Sequence, residues 1–298
     1  MKNGIYCFMI FLILSVCLSC SNSSKDVIKI ATKPRAESFI LGEMLALIIE
    51  RDAGYPVEIV KGIGGGTSNI HPAMEKGDFD LYPEYTSTGY VMVLGHSAAG
   101  VSDEDIWNEL LAGYERRFNM TWISRYGFNN TYCVAVSREK ALLYNLKTTS
   151  DLAKVADKLV FGANPDYIER ADGFNALRGA YGLNFKNVVE VDVGLRWAAL
   201  MSGNIDVTNG FTTDAELVAF DAVALEDDLR LQVNYFCSTV VRLDTLAKYP
   251  RLRSSLEKMD GLISDAEMTL LNYEVSVELK DERDVAFNFL AEKGVIAR

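Results

Sequence analysis

The chain has 298 residues and 49% of them are apolar, so it is long enough for about two domains with buried cores. Its 41 acidic and 30 basic residues give a net charge of −11, which argues against nucleic acid as a partner because a phosphate backbone requires a basic surface. Only two histidines, His71 and His96, are present, so a histidine-based metal site or catalytic triad has few candidates and we expect no metal or cofactor.

The first residues resemble a secretion signal. A basic residue precedes an apolar run over residues 5–18, which is shorter than the roughly 20 residues of a membrane-spanning helix. A serine directly before Cys20 resembles a bacterial lipoprotein cleavage site, although Cys17 stands where such sites usually have leucine. We expect a signal peptide over 1–19, lipidation of Cys20 and a tether over 20–26. Ordinary secretory cleavage nearby is the alternative.

Strands and helices alternate along the first half of the mature chain. Gly54 is a plausible helix stop, and Ser102 is a plausible helix cap followed by acidic residues that suit the helix dipole. In chain order the pattern predicts a strand at 27–32, a helix at 37–54, a strand at 56–63, a helix opened by 64–68 and running to 76, a strand at 79–86 and a helix at 102–118.

The second half repeats this alternation and ends in helices. The predicted strands are 131–138, 158–164, 188–192, 205–211 and 222–227. The predicted helices are 149–157, 172–182, 194–203, 213–221, 244–259, 264–277 and 281–294. Such alternation favours an α/β fold with parallel-type sheets flanked by helices. No linker separates two domains, so we expect the chain to cross between two lobes more than once.

The sequence offers little support for enzyme chemistry. The glycine-rich loop 62–68 fails as a nucleotide motif, because Thr67 stands at the last glycine of GxGxxG and no Lys-Ser/Thr ending follows. It is either a tight strand-to-helix turn or a helix N-terminus that faces an anionic or polar group. No Ser-His-Asp or Cys-His pattern is present. The acids Asp78, Asp80 and Glu84 are typical of a solvated surface.

Aromatic residues stand near the predicted strand ends and helix starts. In open α/β sheets, ligands bind beyond the carboxyl ends of the strands. Rings placed there can surround a quaternary ammonium group, which has no N–H donors and is attracted to ring faces. For each ring taken alone, core packing is the alternative. The rings are Tyr82, Tyr85, Tyr132, Trp197, Phe211 and Tyr235.

Several stretches resemble one family: KIATKPRAESFILGEML, GIGGGTS, GDFDLYPEYTST, YGFNNTYCVAV and SDAEMTLLNYEVSVE. The chain is similar to the substrate-binding lipoproteins of osmoprotectant ABC importers, which take glycine betaine, carnitine and choline. The resemblance implies a two-lobed periplasmic-binding-protein fold of type II. Lobe 1 would comprise residues 27–130 and 236–298, and lobe 2 residues 131–235. It also implies an ABC permease as partner, no enzymatic activity, and a lipid-anchored place in the bacterial cell envelope, facing the periplasm or the exterior.

The resemblance also implies the ligand-binding positions. A ring cage would be formed by Tyr85, Tyr132, Trp197, Phe211 and Tyr235, with Ser38, Thr67, Thr88 and Asn130 as polar positions. Asn130 would hold the carboxylate or polar end of the ligand, and Thr88 would donate its hydroxyl. Relatives often carry Gln at Ser38, and Trp197 and Phe211 stand where Tyr is usual. Ala215 stands where some relatives have a further ring.

Four points stay open at the level of the sequence. The ligand could instead be an amino acid or another zwitterion, for which Asp214 is the candidate partner of a primary ammonium; a thiol-imidazole betaine is also compatible. The protein could be a surface interaction lipoprotein with a vestigial pocket. Arg170 could add a charge to the site or form a structural ion pair, and Cys133 and Cys237 could be free or joined.

Overall fold

The computed structural model describes residues 27–98, 100–163, 165–169, 173–192 and 195–297. Cys20, the signal peptide and tether predicted before residue 27, and Arg170 lie outside the described residues. The described strands form two five-stranded sheets. They are β1 Ile28–Ala31, β2 Val57–Val60, β3 Leu81–Tyr85, β4 Met120–Asn129, β5 Tyr132–Ser137, β6 Val160–Ala163, β7 Asn187–Glu190, β8 Val207–Phe211, β9 Ala222–Leu225 and β10 Phe236–Arg242.

Helices cover the sheets. They are α1 Ala36–Ile48, α2 Thr67–Lys76, α3 Thr86–Thr88, α4 Asp103–Phe118, α5 Arg138–Tyr144, α6 Thr149–Ala153, α7 Pro165–Glu169, α8 Phe174–Tyr181, α9 Arg196–Met201, α10 Glu216–Ala219, α11 Leu243–Lys248, α12 Leu252–Leu256, α13 Asp265–Ser276 and α14 Glu282–Glu292. Short π-helical segments follow α1 and α3, at Ile49–Ala53 and Gly89–Val93, and 3₁₀ turns occupy Ala156–Lys158 and Glu257–Met259. Across the described ranges, no helix combines the length and apolar character needed to cross a bilayer.

The sheets are mixed. The first has the order β2-β1-β3-β10-β4 and the second β7-β6-β8-β5-β9. Three strands of each are parallel, as the alternation of strands and helices predicts, but β10 is antiparallel to β3 and β4, and β5 is antiparallel to β8 and β9. The predicted α/β architecture of parallel-type sheets is present, with one antiparallel strand within each sheet that the local pattern does not predict. β5 and β10 are each entered directly from the other sheet, without a crossover helix. Parallel pairing needs such a crossover to return the chain to the starting edge, so these two strands run antiparallel to their neighbours.

The two chain crossings between the sheets lie side by side. β4 leads through Asn130 and Thr131 into β5, and the segment 226–235 leads back from β9 to β10. The Asn130 backbone N–H donates to the Tyr235 carbonyl at 3.2 Å, and the Thr131 hydroxyl donates to the carbonyl of Val233 at 2.7 Å. These bonds join the two crossings into one short hinge between the lobes.

Lobe 2 has a separate apolar cluster on each face of its sheet. Successive residues of a strand point to opposite faces, so β5 contributes Val134 and Val136 to one cluster and Ala135 to the other. The first cluster also contains Phe161, and the second contains Trp197. This division decides which of the predicted cage rings can meet.

Candidate functional site

Two of the predicted rings stack at the end of lobe 2 that meets the hinge. Tyr132 is the first residue of β5 and Phe211 the last of β8, and the antiparallel register places them opposite each other. Their ring centroids are 4.7 Å apart with an angle of 28° between the planes, and both residues are half-buried. Tyr167 of α7 brings a third ring to 5.5 Å from Tyr132. The arrangement offers partly exposed ring surface beside the crossings.

Trp197 does not join this stack. It packs against Ala135 and Leu200 on the opposite face of the sheet, and only 4% of its surface is exposed. A Cβ atom added to Gly210, the neighbour of Phe211 in β8, would lie 2.9 Å from the Trp197 ring. Trp197 therefore fills the core behind β8, and the structure does not bring it together with Tyr132 and Phe211.

Tyr85 lies across the interface between the lobes, in lobe 1. It ends β3, its hydroxyl donates to Glu37, and the Lys33 ammonium stands 5.0 Å above its ring centroid. Burial, together with the neighbouring Glu37 carboxylate, raises the pKa of Tyr85 well above its usual value. The hydroxyl thus stays protonated and remains a donor, while its ring is only 6% exposed.

Glu37 is a buried acceptor for side chains from distant parts of the chain. It lies in the first turn of α1, where the positive end of the helix dipole favours a carboxylate, and is 4% exposed. Its Oε1 accepts from the Tyr85 hydroxyl and from Asn130 Nδ2 at 2.8 Å. Its Oε2 accepts from Thr213 Oγ1 at 2.7 Å and Asn272 Nδ2 at 3.0 Å. Thr213 belongs to lobe 2, so this carboxylate bridges the two lobes.

A second buried carboxylate, Glu84, lies beside the first. It forms an ion pair with Lys33 and accepts from the Thr67 hydroxyl at 2.6 Å and from the Tyr85 backbone N–H at 2.7 Å. Thr67, predicted from the resemblance as a ligand-binding position, directs its hydroxyl to Glu84 in this structure. Glu84 is fully buried, so the suggestion that it belongs to a solvated acidic surface is corrected.

The remaining predicted polar positions and the fifth ring lie in lobe 1 and at the hinge. Ser38 is buried next to Glu37 in α1, and Thr88 is half-buried in the helical turn after Tyr85. Tyr235 is half-buried, packs against the lobe 1 core, and donates its backbone N–H to Asn129 Oδ1 at 2.7 Å. These positions surround the hinge from the lobe 1 side.

Asp214, the candidate partner of a primary ammonium, is engaged within lobe 2. It accepts from Arg196 Nη2 at 3.0 Å and from the Phe211 backbone N–H at 2.9 Å. Burial raises the pKa of Asp214 to about 6. Cys133 and Cys237 are both free and buried, so the structure contains two thiols instead of a disulfide.

Sequence reasoning missed several of these residues. Glu37, Lys33, Thr213 and Asn272 were not singled out, although Lys33 and Glu37 both stand in the KPRAES stretch. An acid in the first turn of a long apolar helix was the available signal for Glu37, whereas nothing local predicts that Thr213 and Asn272 contact it. Among the described residues, no three His, Cys, Asp or Glu side chains are grouped so that they could hold a metal ion.

A cavity of about 260 Å³ lies elsewhere in lobe 2. Its lining includes residues 137–140, 203 and 205–206, at the end of β5 opposite to Tyr132. None of the predicted ligand-binding residues lines it.

Comparison with known proteins identifies the family. Residues 26–292 match the family described as the substrate binding domain of ABC-type glycine betaine transport systems. The chain belongs to this family. Its role is therefore that of a substrate-binding component of an ABC transporter, which is not an enzymatic role.

Two relatives and one solved structure illustrate the range of the family. The chain is 41% identical to the ergothioneine transport permease/ergothioneine binding protein EgtU of Helicobacter pylori, with 89% of this chain and 47% of the relative covered. It thus spans about half the length of that relative. It is 37% identical to the carnitine transport binding protein OpuCC of Listeria monocytogenes, with 97% and 96% covered.

The crystal structure of a glycine betaine/carnitine/choline ABC transporter protein is 31% identical to this chain. It superposes with a TM-score of 0.85 and covers 90% of this chain and 99% of that protein. The fold is therefore the two-lobed type II periplasmic-binding-protein fold, as predicted.

Proposed function

We propose that this protein captures a small solute with a quaternary ammonium group between its lobes and delivers it to an ABC permease. The candidates are glycine betaine, carnitine, choline or a related betaine. The observation that supports this most directly is the half-exposed stack of Tyr132 and Phe211 beside the hinge. Ring faces attract a weakly hydrated cation with about 0.5–2 kcal/mol per contact. Carnitine and ergothioneine, which the names of the two relatives contain, both carry a trimethylammonium group.

The proposed site uses rings from both lobes. Tyr132 and Phe211 form the lobe 2 wall, Tyr85 forms the lobe 1 wall, and Tyr235 lies at the boundary between the lobes, where it packs against the lobe 1 core. Ser38, Thr67, Thr88 and Asn130 are the proposed polar positions. Trp197 is left out of the ligand contacts, since it packs behind β8.

The lobe boundaries and the membrane attachment are part of the proposal. The division at residues 130/131 and 235/236 is supported by the strands, since β4 and β10 belong to one sheet and β5 and β9 to the other. The lipid anchor at Cys20 is supported by the sequence before it. Together they describe a receptor held at the bacterial cell envelope by a tether on lobe 1.

Replacement of Tyr132 by Ala tests the site. Loss of one ring of the lobe 2 wall should weaken binding of the tightest-binding trimethylammonium solute by at least about tenfold, which corresponds to roughly 1.4 kcal/mol. Isothermal titration calorimetry with glycine betaine, carnitine, choline and ergothioneine measures this loss.

Trp197→Phe is the matched control, because it alters a ring on the other face of the same sheet. Its affinity should stay within about twofold of the unmodified protein. An unchanged affinity in Tyr132→Ala would contradict the proposed site. Absence of heat and of thermal stabilisation with all four solutes would contradict the proposed ligand class, since a tight ligand raises stability by mass action.

A further inference from the structure

Glu37, Glu84 and Lys33 form a largely buried polar cluster between the lobes, and it contains more acidic than basic side chains. Glu84 is neutralised by its ion pair with Lys33. Glu37 is held by four uncharged donors, and no described cationic side chain forms an ion pair with it. The charge of Arg35 reaches the neighbouring Tyr85 hydroxyl, but Arg35 is exposed and forms no ion pair with Glu37 among the described residues. The Glu37 carboxylate is therefore a buried charge that the described part of the protein leaves without a counter-ion.

Such a charge is unfavourable unless something offsets it. Hydrogen bonds compensate part of the lost hydration, and the N-terminal turn of α1 contributes further. A cation held nearby, in a medium of low dielectric constant, would supply the remainder, because charge–charge attraction is much stronger there than in water. The proposed ligand is such a cation, and its ring cage is connected to Glu37.

That connection is direct on the lobe 1 side. The Tyr85 hydroxyl donates to Glu37, and this shifts electron density towards the ring and makes its face more attractive to a cation. On the lobe 2 side, Thr213 stands two residues after Phe211 and donates to the same carboxylate. Glu37 is thus bonded to one wall of the cage and to the loop that directly follows the other.

We infer that Glu37 is the positioning residue of the cage and the counter-charge by which the site distinguishes a cationic head group from a neutral one of the same shape. The inference rests on the proposed function and deepens it. Glu37 acts through Tyr85, Thr213 and its own charge, without touching the ligand. The chemistry selected is a trimethylammonium group in preference to a tert-butyl group.

The test compares two probes that differ only in charge. One is the tightest-binding solute among glycine betaine, carnitine and choline, and the other is its tert-butyl isostere, in which carbon replaces the quaternary nitrogen. Displacement calorimetry gives both affinities for the unmodified protein and for Glu37→Gln. The variant should lose at least about tenfold for the charged probe and less than about threefold for the isostere.

Glu43→Gln is the matched control. Glu43 is a buried acid on the same helix, 6% exposed, but it is neutralised by Lys61 and Arg283. Its replacement should leave the ratio of the two affinities unchanged. Equal losses for both probes in Glu37→Gln would show a purely structural role and overturn the inference while leaving the proposed function intact. Failure of the unmodified protein to bind any trimethylammonium solute would overturn both.

Tyr85→Phe keeps the test decisive if Glu37→Gln does not fold. This variant retains the ring and the carboxylate and removes only the hydroxyl that joins them. The preference for the charged probe should fall by about threefold, because the ring is no longer polarised by the carboxylate. An unchanged preference in Tyr85→Phe would overturn the inference.

Discussion

Two buried ionisable residues of lobe 1 are accommodated in different ways. The Glu37 carboxylate, at the interface between the lobes, accepts hydrogen bonds from four side chains. His71 lies edge-on to the rings of Tyr114 and Phe118, and within the described residues neither of its ring nitrogens has a hydrogen-bond partner. Burial lowers the pKa of His71, although the neighbouring Glu75 and Glu84 oppose the shift.

His71 should make the protein less stable in mild acid. The folded state keeps the imidazole neutral, whereas the unfolded chain protonates it near its usual pKa of 6.5. Stability is therefore lost as the pH falls through about 6.5, by roughly 1 kcal/mol per pH unit. Urea unfolding at about pH 7.5 and about pH 5.5 measures the loss, and His71→Phe should reduce it.

His96→Phe is the control for this measurement, because His96 is exposed. It should leave the pH dependence of the unfolding free energy as it is in the unmodified protein. If His71→Phe shows the same dependence as the unmodified protein, other groups cause the effect and the assignment to His71 is wrong.

Individual residues of the site were predictable to different degrees. Tyr132 and Phe211 were predicted as cage rings because each stands at a strand end, where ligands bind in open sheets, and the structure stacks the two rings. Trp197 was grouped with them because it stands near a helix start and at a ring position implied by the family resemblance, but the side on which its ring packs could not be predicted. The β5–β8 register, which brings Tyr132 and Phe211 together, depends on residues from separate parts of the chain. Glu37 was missed for the same reason, since its donors lie 48 to 235 residues away.

Among the elements, β4 was not predicted although it belongs to the first sheet. Its sequence, MTWISRYGFN, lacks clean alternation, and its pairing with β10 is irregular between Phe236 and Thr239. Ser124 and Gly127 have positive φ angles of 62° and 113°. The irregularity brings Gly127 against the chain near Ile263, so a side chain there has no room.

Replacement of Gly127 by Ala should destabilise β4. The added Cβ would lie 2.7 Å from the Ile263 carbonyl oxygen, and the φ of 113° is unfavourable for any L-residue. The loss should exceed about 1 kcal/mol of unfolding free energy. Chemical denaturation of the ligand-free protein gives this value.

Gly179→Ala supplies the opposite case. Gly179 lies inside α8, where nothing lies within 4 Å of an added Cβ. Alanine there should stabilise the protein by about 0.5–1 kcal/mol. A Gly127→Ala variant as stable as the unmodified protein would contradict the close approach at β4.

Elements with local signals were predicted well. The Ser102 side chain accepts from the Asp105 N–H at the start of α4, as the cap predicted there requires. Gly54 adopts the left-handed conformation where the first helix ends. Helix α5 was missed because its sequence, REKALLY, follows β5 directly, and its Leu142 and Leu143 are exposed instead of forming an inward apolar stripe.

At the scale of the whole molecule, the loop after β8 joins lobe 2 to lobe 1. Thr213 donates to Glu37, and the carbonyls of Thr212 and Thr213 accept from Thr269 and Asn272 of α13. These bonds are buried or partly buried, so they hold the lobes in the arrangement described here. Their loss should shift the ligand-free protein towards a more open arrangement.

Thr213→Val removes one of these bonds with little change in volume. The ligand-free variant should have a larger radius of gyration than the unmodified protein in small-angle X-ray scattering, and saturating ligand should bring the two values together. Thr245→Val is the control, because the Thr245 hydroxyl donates to Asp80 at 2.7 Å within lobe 1. Equal radii for both ligand-free variants would contradict a bridging role for Thr213.

The whole-molecule plan was predictable in outline. The alternation of strands and helices without a linker predicted two α/β lobes joined by more than one crossing. The antiparallel positions of β5 and β10 were not predicted, because strand order depends on long-range pairing that local patterns do not encode.

The strands of the second sheet are inserted in the chain between β4 and β10, which are neighbours in the first sheet. Asn129 and Phe236 are partners in adjacent antiparallel strands, so their Cα atoms are about 5 Å apart. A turn of a few residues could join them and leave the first sheet continuous. We therefore expect that the segment between these two residues can be removed, or exchanged for that of a relative, as a single unit.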